Sequence, residues 1–449
     1  MDVNYNNWLY ATFQARNDWS STLPAENNSF FYPAVTLSGI ISDALRINGP
    51  TLSFLKVRAS LAQVGNDAPA YSIVPIYTAA IARAGLFGTV NFPISGVNAF
   101  EVGDIRGNNQ LKPEITSELE FGLDARFFKN RVGLDVALYN RTTTNQIINV
   151  EKDPSSGYLN QVSNIGEINN RGVELVVSLT PVKNKNFQWD LNYNFTKNRN
   201  EVVSLGAGNT SLVLNTAYDA ELRAEEGKPV GAIYIPTVLT NEEGAPVVNA
   251  ANGLPLAASE KKYMGSANPD YVMGIANTLS YQNWKLSFNL DYRQGGVFWS
   301  YTAQLNYFVG HAWKSQYNDR QPFIIPGSVN QLASGEFVEN TTPVSRADIF
   351  TYWGSTTATT ENEILDKTFV KLRNLSLSYE LPQEWVKRLK IKRAGVTVYG
   401  RNLALWTPSS NHFVDPEGST FGLDLSSQIG EFATSPSTAS YGITFNLSF

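Results

Sequence analysis

The last residues of the chain, 441–449 (YGITFNLSF), alternate apolar and polar without an error. Successive side chains of a strand point to opposite faces, so Tyr441, Ile443, Phe445, Leu447 and Phe449 share one face and Gly442, Thr444, Asn446 and Ser448 the other. The same period of two runs through 284–293 (WKLSFNLDYR), 187–196 (FQWDLNYNFT) and 118–127 (ELEFGLDARF). Each has about the ten residues that a tilted strand needs to cross a bilayer. Weaker copies occupy 9–16, 35–41, 54–62, 132–139, 173–180, 271–281, 369–381 and 396–403, which predicts about twelve strands. Within 369–381 the phase slips: Val370 and Leu372 have one parity, Leu375, Leu377 and Tyr379 the other. That slip predicts a bulge near Arg373 and Asn374.

The connections alternate in length. Short ones span 128–131, 181–186, 282–283 and a predicted helical turn over 383–390, whereas long ones span 18–32, 65–112, 145–169, 200–269, 299–367 and 407–439. Outer-membrane barrels join their strands by short periplasmic turns and long extracellular loops. The expected fold is therefore all-β: an antiparallel transmembrane β-barrel wall with its C-terminus on the periplasmic side. A soluble sandwich shows no such bias by end, and no fixed repeat supports a propeller.

Composition removes much else. Only 17% of the residues are charged and the net charge is −5, so there is no basic field for nucleic acid. The absence of cysteine excludes disulfides, thiolate metal sites and thiol catalysis, leaving His311 and His412 as the only imidazoles. Neither has a spaced second ligand, and Asp415, Glu417, Asp424 and Glu431 lack calcium-loop spacing, so no metal or cofactor is expected. No serine sits in a Gly-x-Ser-x-Gly elbow and neither histidine falls on a predicted strand, so no enzyme is expected; a histidine hydrogen-bonded to a serine would overturn this. The longest apolar stretch, 72–100, is broken by Pro75, Arg83 and Pro93, which excludes a membrane-spanning helix but not a barrel. The opening residues, MDVNYNNW, carry no secretory signal, so a mature or partial product is expected.

In a barrel the polar parity faces the lumen. That places Arg126, Asp190, Asn192, Asp291, Arg293 and Arg401 inside, where their mixed signs predict mutual pairing rather than a charge-selective pore. The outer segment 299–353 gathers Trp299, Tyr301, Tyr307, Trp313, Tyr317 and Trp353 among amides and acids. Such a mixture stacks on sugar faces or grips peptides, making these six the candidate ligand-binding residues. The competing reading makes Trp299, Tyr301 and Tyr307 part of an aromatic girdle at the membrane interface.

Several stretches, in order, resemble the C-terminal part of the SusC/RagA family of TonB-dependent outer-membrane transporters of Bacteroidetes. They are 109–116 (NQLKPEIT), 120–124 (EFGLD) with 127–131 (FFKNR), 170–174 (NRGVE), 369–382 (FVKLRNLSLSYELP), 400–403 (GRNL) and 414–417 (VDPE). The resemblance implies a barrel of about 22 strands with a plugged lumen, of which 1–449 is the C-terminal portion, the plug and TonB-box not being in this chain. A part-barrel leaves two sheet edges that lipid does not tolerate. Pairing between the strand at 9–16 and that at 441–449 would mean a small closed pore instead; a gap would mean part of a larger barrel. The resemblance further implies import of oligosaccharides or peptides with a SusD-like surface lipoprotein, driven by TonB–ExbB–ExbD through the plug. It also implies that Tyr441, Phe445 and Phe449 form the signal read by the barrel-assembly machinery. A scaffold for outer-membrane partners, without transport, is the alternative function.

Overall fold

In the computed structural model the described residues are all except 48, 84–88, 207, 219, 355–360, 388–390, 421 and 423–425. The alternating segments form one 13-stranded sheet whose neighbours are antiparallel and follow chain order. The strands are β1 (Asp2–Tyr5), β2 (Leu9–Trp19), β3 (Ser29–Ile40), β4 (Leu52–Asn66), β5 (Glu114–Phe127) and β6 (Val132–Thr144). There follow β7 (Glu167–Lys183), β8 (Phe187–Ser204), β9 (Tyr271–Tyr281), β10 (Trp284–Gln294), β11 (Phe369–Glu380), β12 (Arg393–Trp406) and β13 (Ser440–Ser448). The thirteenth member is β1, too short to display an alternation. Because each neighbour is joined by a chain reversal, register follows from the turns and from keeping like faces together.

Residues directly opposite in an antiparallel pair share a face. One apolar row runs Phe13, Val35, Leu61, Leu119, and another runs Leu286, Leu377, Val398, Ile443. All of these but the half-buried Leu286 are exposed, Leu61 by 60% and Ile443 by 62%. A soluble sheet does not leave so wide an apolar face uncovered; a lipid-facing one does. The packed core lies instead in the outer connections, where Trp299, Phe298, Leu222, Ile233 and Leu365 are fully buried.

The bulge falls where the parity slips. β11 changes register between Leu372 and Asn374 against β12, and its partner β10 shifts between Asn289 and Leu290. Short turns close one end of the sheet, including a helix at Gln383–Lys387 within the predicted helical turn; the rest of that turn, 388–390, lies outside the described residues. At the other end, 18–32 is shorter than expected because β2 and β3 run on to Trp19 and from Ser29. The long connections are not bare loops. Within the connection after β8, Ser211–Ala217, Ala220–Glu225, Ala232–Ile235 and Lys262–Ser266 form a four-stranded sheet, and two helices, α1 (Tyr301–Phe308) and α2 (Ile349–Gly354), pack over the same end.

A small closed pore is corrected by the pairing. β2 uses both its edges, on β1 and β3, while β13 pairs with β12. Among the described residues no backbone pairing joins β13 to β1 or β2, so the sheet is open.

Candidate functional site

The polar face is a field of paired charges. Gly122 has no side chain, which lets Arg58 lie across it from the neighbouring strand; a Cβ there would collide with the guanidinium. Arg58 thereby reaches Glu120 (3.2 Å) and Asp135 (3.3 Å). Arg126 pairs with Asp124 at 3.3 Å and covers the Phe54 ring at 4.9 Å. Asp190 accepts from Thr180 (2.8 Å) and Gln188 (2.7 Å), and Asn192 accepts from Ser178 (2.8 Å). Arg401 is exposed, beside the Tyr399 ring. Arg293 is used differently: it donates to the carbonyls of Ala267 (2.8 Å) and Gly295 (3.3 Å), fastening the outer connections.

At the bulge, one outer connection folds down onto this face. Lys371, only 4% exposed in its side chain, bonds Asp415 (2.7 Å) and Glu417 (2.6 Å). Arg373 holds Glu417 through two bonds (2.7 and 2.5 Å) and Asp291 at 2.5 Å. Burial works to raise both outer carboxyls, but Lys371 with Ser437 outweighs it at Asp415, and Arg373 with Lys371 at Glu417, so both lie below the ordinary carboxylate range. This clamp borders a polar cleft of about 650 Å³ that includes Thr407, Asn411 and Ser437. Asn411 is buried and its Nδ2 has no hydrogen-bond partner among the described residues.

The six aromatic candidates divide. Trp299 is 1% exposed, its indole N–H donating to Glu363 at 2.9 Å, so it is a core residue of the outer cap and presents no face to ligand or membrane. Tyr301 packs half-buried against the same core and stacks on Tyr218 and Phe432. Tyr307 is likewise buried, and stacks on Trp353 with planes 9° apart. Trp313 and Tyr317 are exposed. Trp313, Tyr317 and Trp353 come together, with Phe323, Pro326 and Tyr352, around an apolar cleft of about 510 Å³. Its walls stand nearly at right angles: Tyr317 to Phe323 79°, Phe323 to Tyr352 84°, Tyr352 to Trp353 85°.

The match to known proteins decides what this sheet belongs to. Residues 1–403 match the family described as TonB dependent receptor-like, beta-barrel. The chain belongs to the TonB-dependent receptor β-barrel family. TonB-dependent receptor P26 of Formosa agariphila is 27% identical over 468 residues, covering 98% of this chain and 44% of its own length. TonB-dependent receptor SusC of Bacteroides thetaiotaomicron is 26% identical over 437 residues, covering 92% and 40%. The solved structure of the RagAB peptide transporter superposes with a TM-score of 0.73 at 20% identity, over 100% of this chain and 47% of that one. The chain is thus SusC/RagA-like, and it spans less than half the length of these relatives.

The chain is a TonB-dependent receptor barrel wall of the outer membrane; in such barrels the polar parity lines the lumen and the short turns lie on the periplasmic side. Tyr441 and Phe445 are exposed along the apolar side of β13, and Phe449 is exposed just past its end. The family is one of receptors and transporters rather than enzymes. Among the described residues no group of three His, Cys, Asp or Glu is placed to hold a metal. Asp415 and Glu417 are taken by the clamp; Glu431, fully buried, accepts from Ser300 and from the Thr302 N–H at the start of α1; Asp424 lies outside the described residues.

Two functional groups escaped the sequence reading. Arg58 follows the polar parity of Lys56 and Ser60 and was findable by it. The clamp joins residues 44 and 46 apart across the bulge, a pairing no local pattern encodes.

One buried cation outside the membrane-spanning segments is left without a carboxylate among the described residues. Lys367 bonds the Gln428 amide oxygen at 2.9 Å, and burial, reinforced by the charge of Arg293, holds its ammonium down to about 7. The folded state therefore bears the full cost of the ammonium below pH 7 and sheds it as pH rises toward the ordinary lysine value of 10.5. Lys367→Met is expected to raise the melting temperature at pH 6, with an advantage that shrinks toward pH 10 in paired thermal scans. A constant difference at both pH values contradicts this origin.

Proposed function

We propose that this chain forms the C-terminal part of the barrel of a SusC-like importer that takes oligosaccharides or peptides across the outer membrane. The observation that carries the reading is the division of one sheet into a bare apolar face and a polar face onto which an outer connection is clamped. That is a wall around a lined, obstructed lumen, not an open pore. In this reading the remaining strands, the plug and the TonB-box belong to other parts of the transporter; the chain's span of under half its relatives' length is compatible with that. A SusD-like lipoprotein closes over the long connections, TonB–ExbB–ExbD acts through the plug, and Tyr441, Phe445 and Phe449 serve as the assembly signal.

Uptake by cells that depend on the transporter tests this. Labelled oligosaccharides and peptides are offered with the membrane energised and after a protonophore. One class is expected to enter only in energised cells carrying the transporter, and entry is expected to fall when the lipoprotein is removed. Uptake unchanged by loss of the transporter would leave the scaffold role in its place.

A further inference from the structure

The aromatic cleft differs from the rest of the outer surface in what it lacks. Its described lining holds no carboxylate, and its one charged residue is Lys314. Lys314 forms no ion pair among the described residues; its ammonium donates to the neutral amide oxygen of Asn362 at 2.7 Å. The cleft therefore offers an open apolar volume beside a cation that has no carboxylate partner among the described residues.

Resting on the import reading above, we propose that this cleft takes the C-terminal residue of a peptide whose last side chain is apolar. The side chain fills the space between Trp313, Tyr317, Phe323 and Tyr352, and the terminal carboxylate supplies the counter-charge to Lys314. A neutral sugar fits this site poorly. A pyranose lies flat on one open ring and needs several amide or carboxylate partners around its hydroxyls. Here consecutive rings are nearly perpendicular, with Gln316 the only amide in the described lining. A cationic side chain is opposed by Lys314 and finds no acid.

The experiment uses the whole transporter in detergent, read by calorimetry and by quenching of tryptophan fluorescence, with four probes. These are the acetylated tripeptide Ala-Ala-Leu with a free carboxylate, the same peptide as its C-terminal amide, Ala-Ala-Asp, and maltotriose. The free acid of Ala-Ala-Leu is expected to bind at least about tenfold more tightly than its amide. Lys314→Gln is expected to abolish that difference while leaving the amide's affinity unchanged, and Trp313→Ala to weaken both by about tenfold. Trp313 is 70% exposed, so its truncation leaves the cap's core intact. Equal affinity for acid and amide, tight binding of Ala-Ala-Asp, or maltotriose binding that Trp313→Ala removes would each overturn the assignment. Peptide binding in a protein that imports nothing would sink the import reading alone. Energised uptake that neither variant alters, with no peptide bound, would sink the cleft alone.

Discussion

Leu375→Arg is expected to destabilise the assembled barrel by about 2–4 kcal/mol, whereas Ser376→Arg, one residue along the same strand, costs less than about 1 kcal/mol. Leu375 lies opposite Phe288 and Gly400 in the apolar row of β11 and is 36% exposed. Arginine there must hold its guanidinium in hydrocarbon or thin the bilayer around it. Ser376 lies opposite Ser287 and Tyr399 on the lumen face, where water and polar side chains solvate a charge. Urea titration of the transporter folded in lipid vesicles measures both. Equal costs would mean that the two parities face the same environment, and the membrane assignment of the sheet would fall.

The clamp should be the second most sensitive point. Lys371→Met removes a cation whose side chain is 4% exposed and leaves Asp415, itself 11% exposed, without its partner. Breaking one side of a buried pair costs about 3–5 kcal/mol, because the remaining charge stays desolvated. Glu417 keeps Arg373, which places the cost at the lower end. The loss is local. Hydrogen exchange should rise through residues 407–439 while the amides of β5 to β8 stay protected. Acid should mimic the substitution in the unmutated protein. Both carboxyls are held below their unfolded values, so the stabilisation is complete above the ordinary carboxylate range and is lost as pH falls through the lower folded values. Protection of 407–439 that is unchanged by Lys371→Met would show that the connection is held elsewhere.

The wall was legible because each strand has to satisfy two solvents at once. Lipid on one side and water on the other impose a period of two, and a slip of that period at Arg373 and Asn374 marks the bulge where the register does shift. The outer cap was legible only as length. Trp299, Tyr307 and Trp353 attract attention by residue type, but burial depends on contacts with segments far away in the chain. Trp299 packs with Leu222, Ile233 and Ile429, and Tyr307 with Val248, Val344 and Trp353. Nothing local separates these from Trp313 and Tyr317, which stay exposed. Small sheets such as 211–266 were missed for a related reason: they are short and enclosed within the cap, so they have no lipid face to impose an alternation.

Single-cysteine scanning of β10 tests the central claim most directly, since the chain has no cysteine of its own. A membrane-impermeant maleimide applied to intact outer membranes is expected to label Ser287, Asn289 and Asp291 positions and to spare Leu286, Phe288 and Leu290. Labelling that ignores this alternation would contradict a sheet with lipid on one face and a lumen on the other.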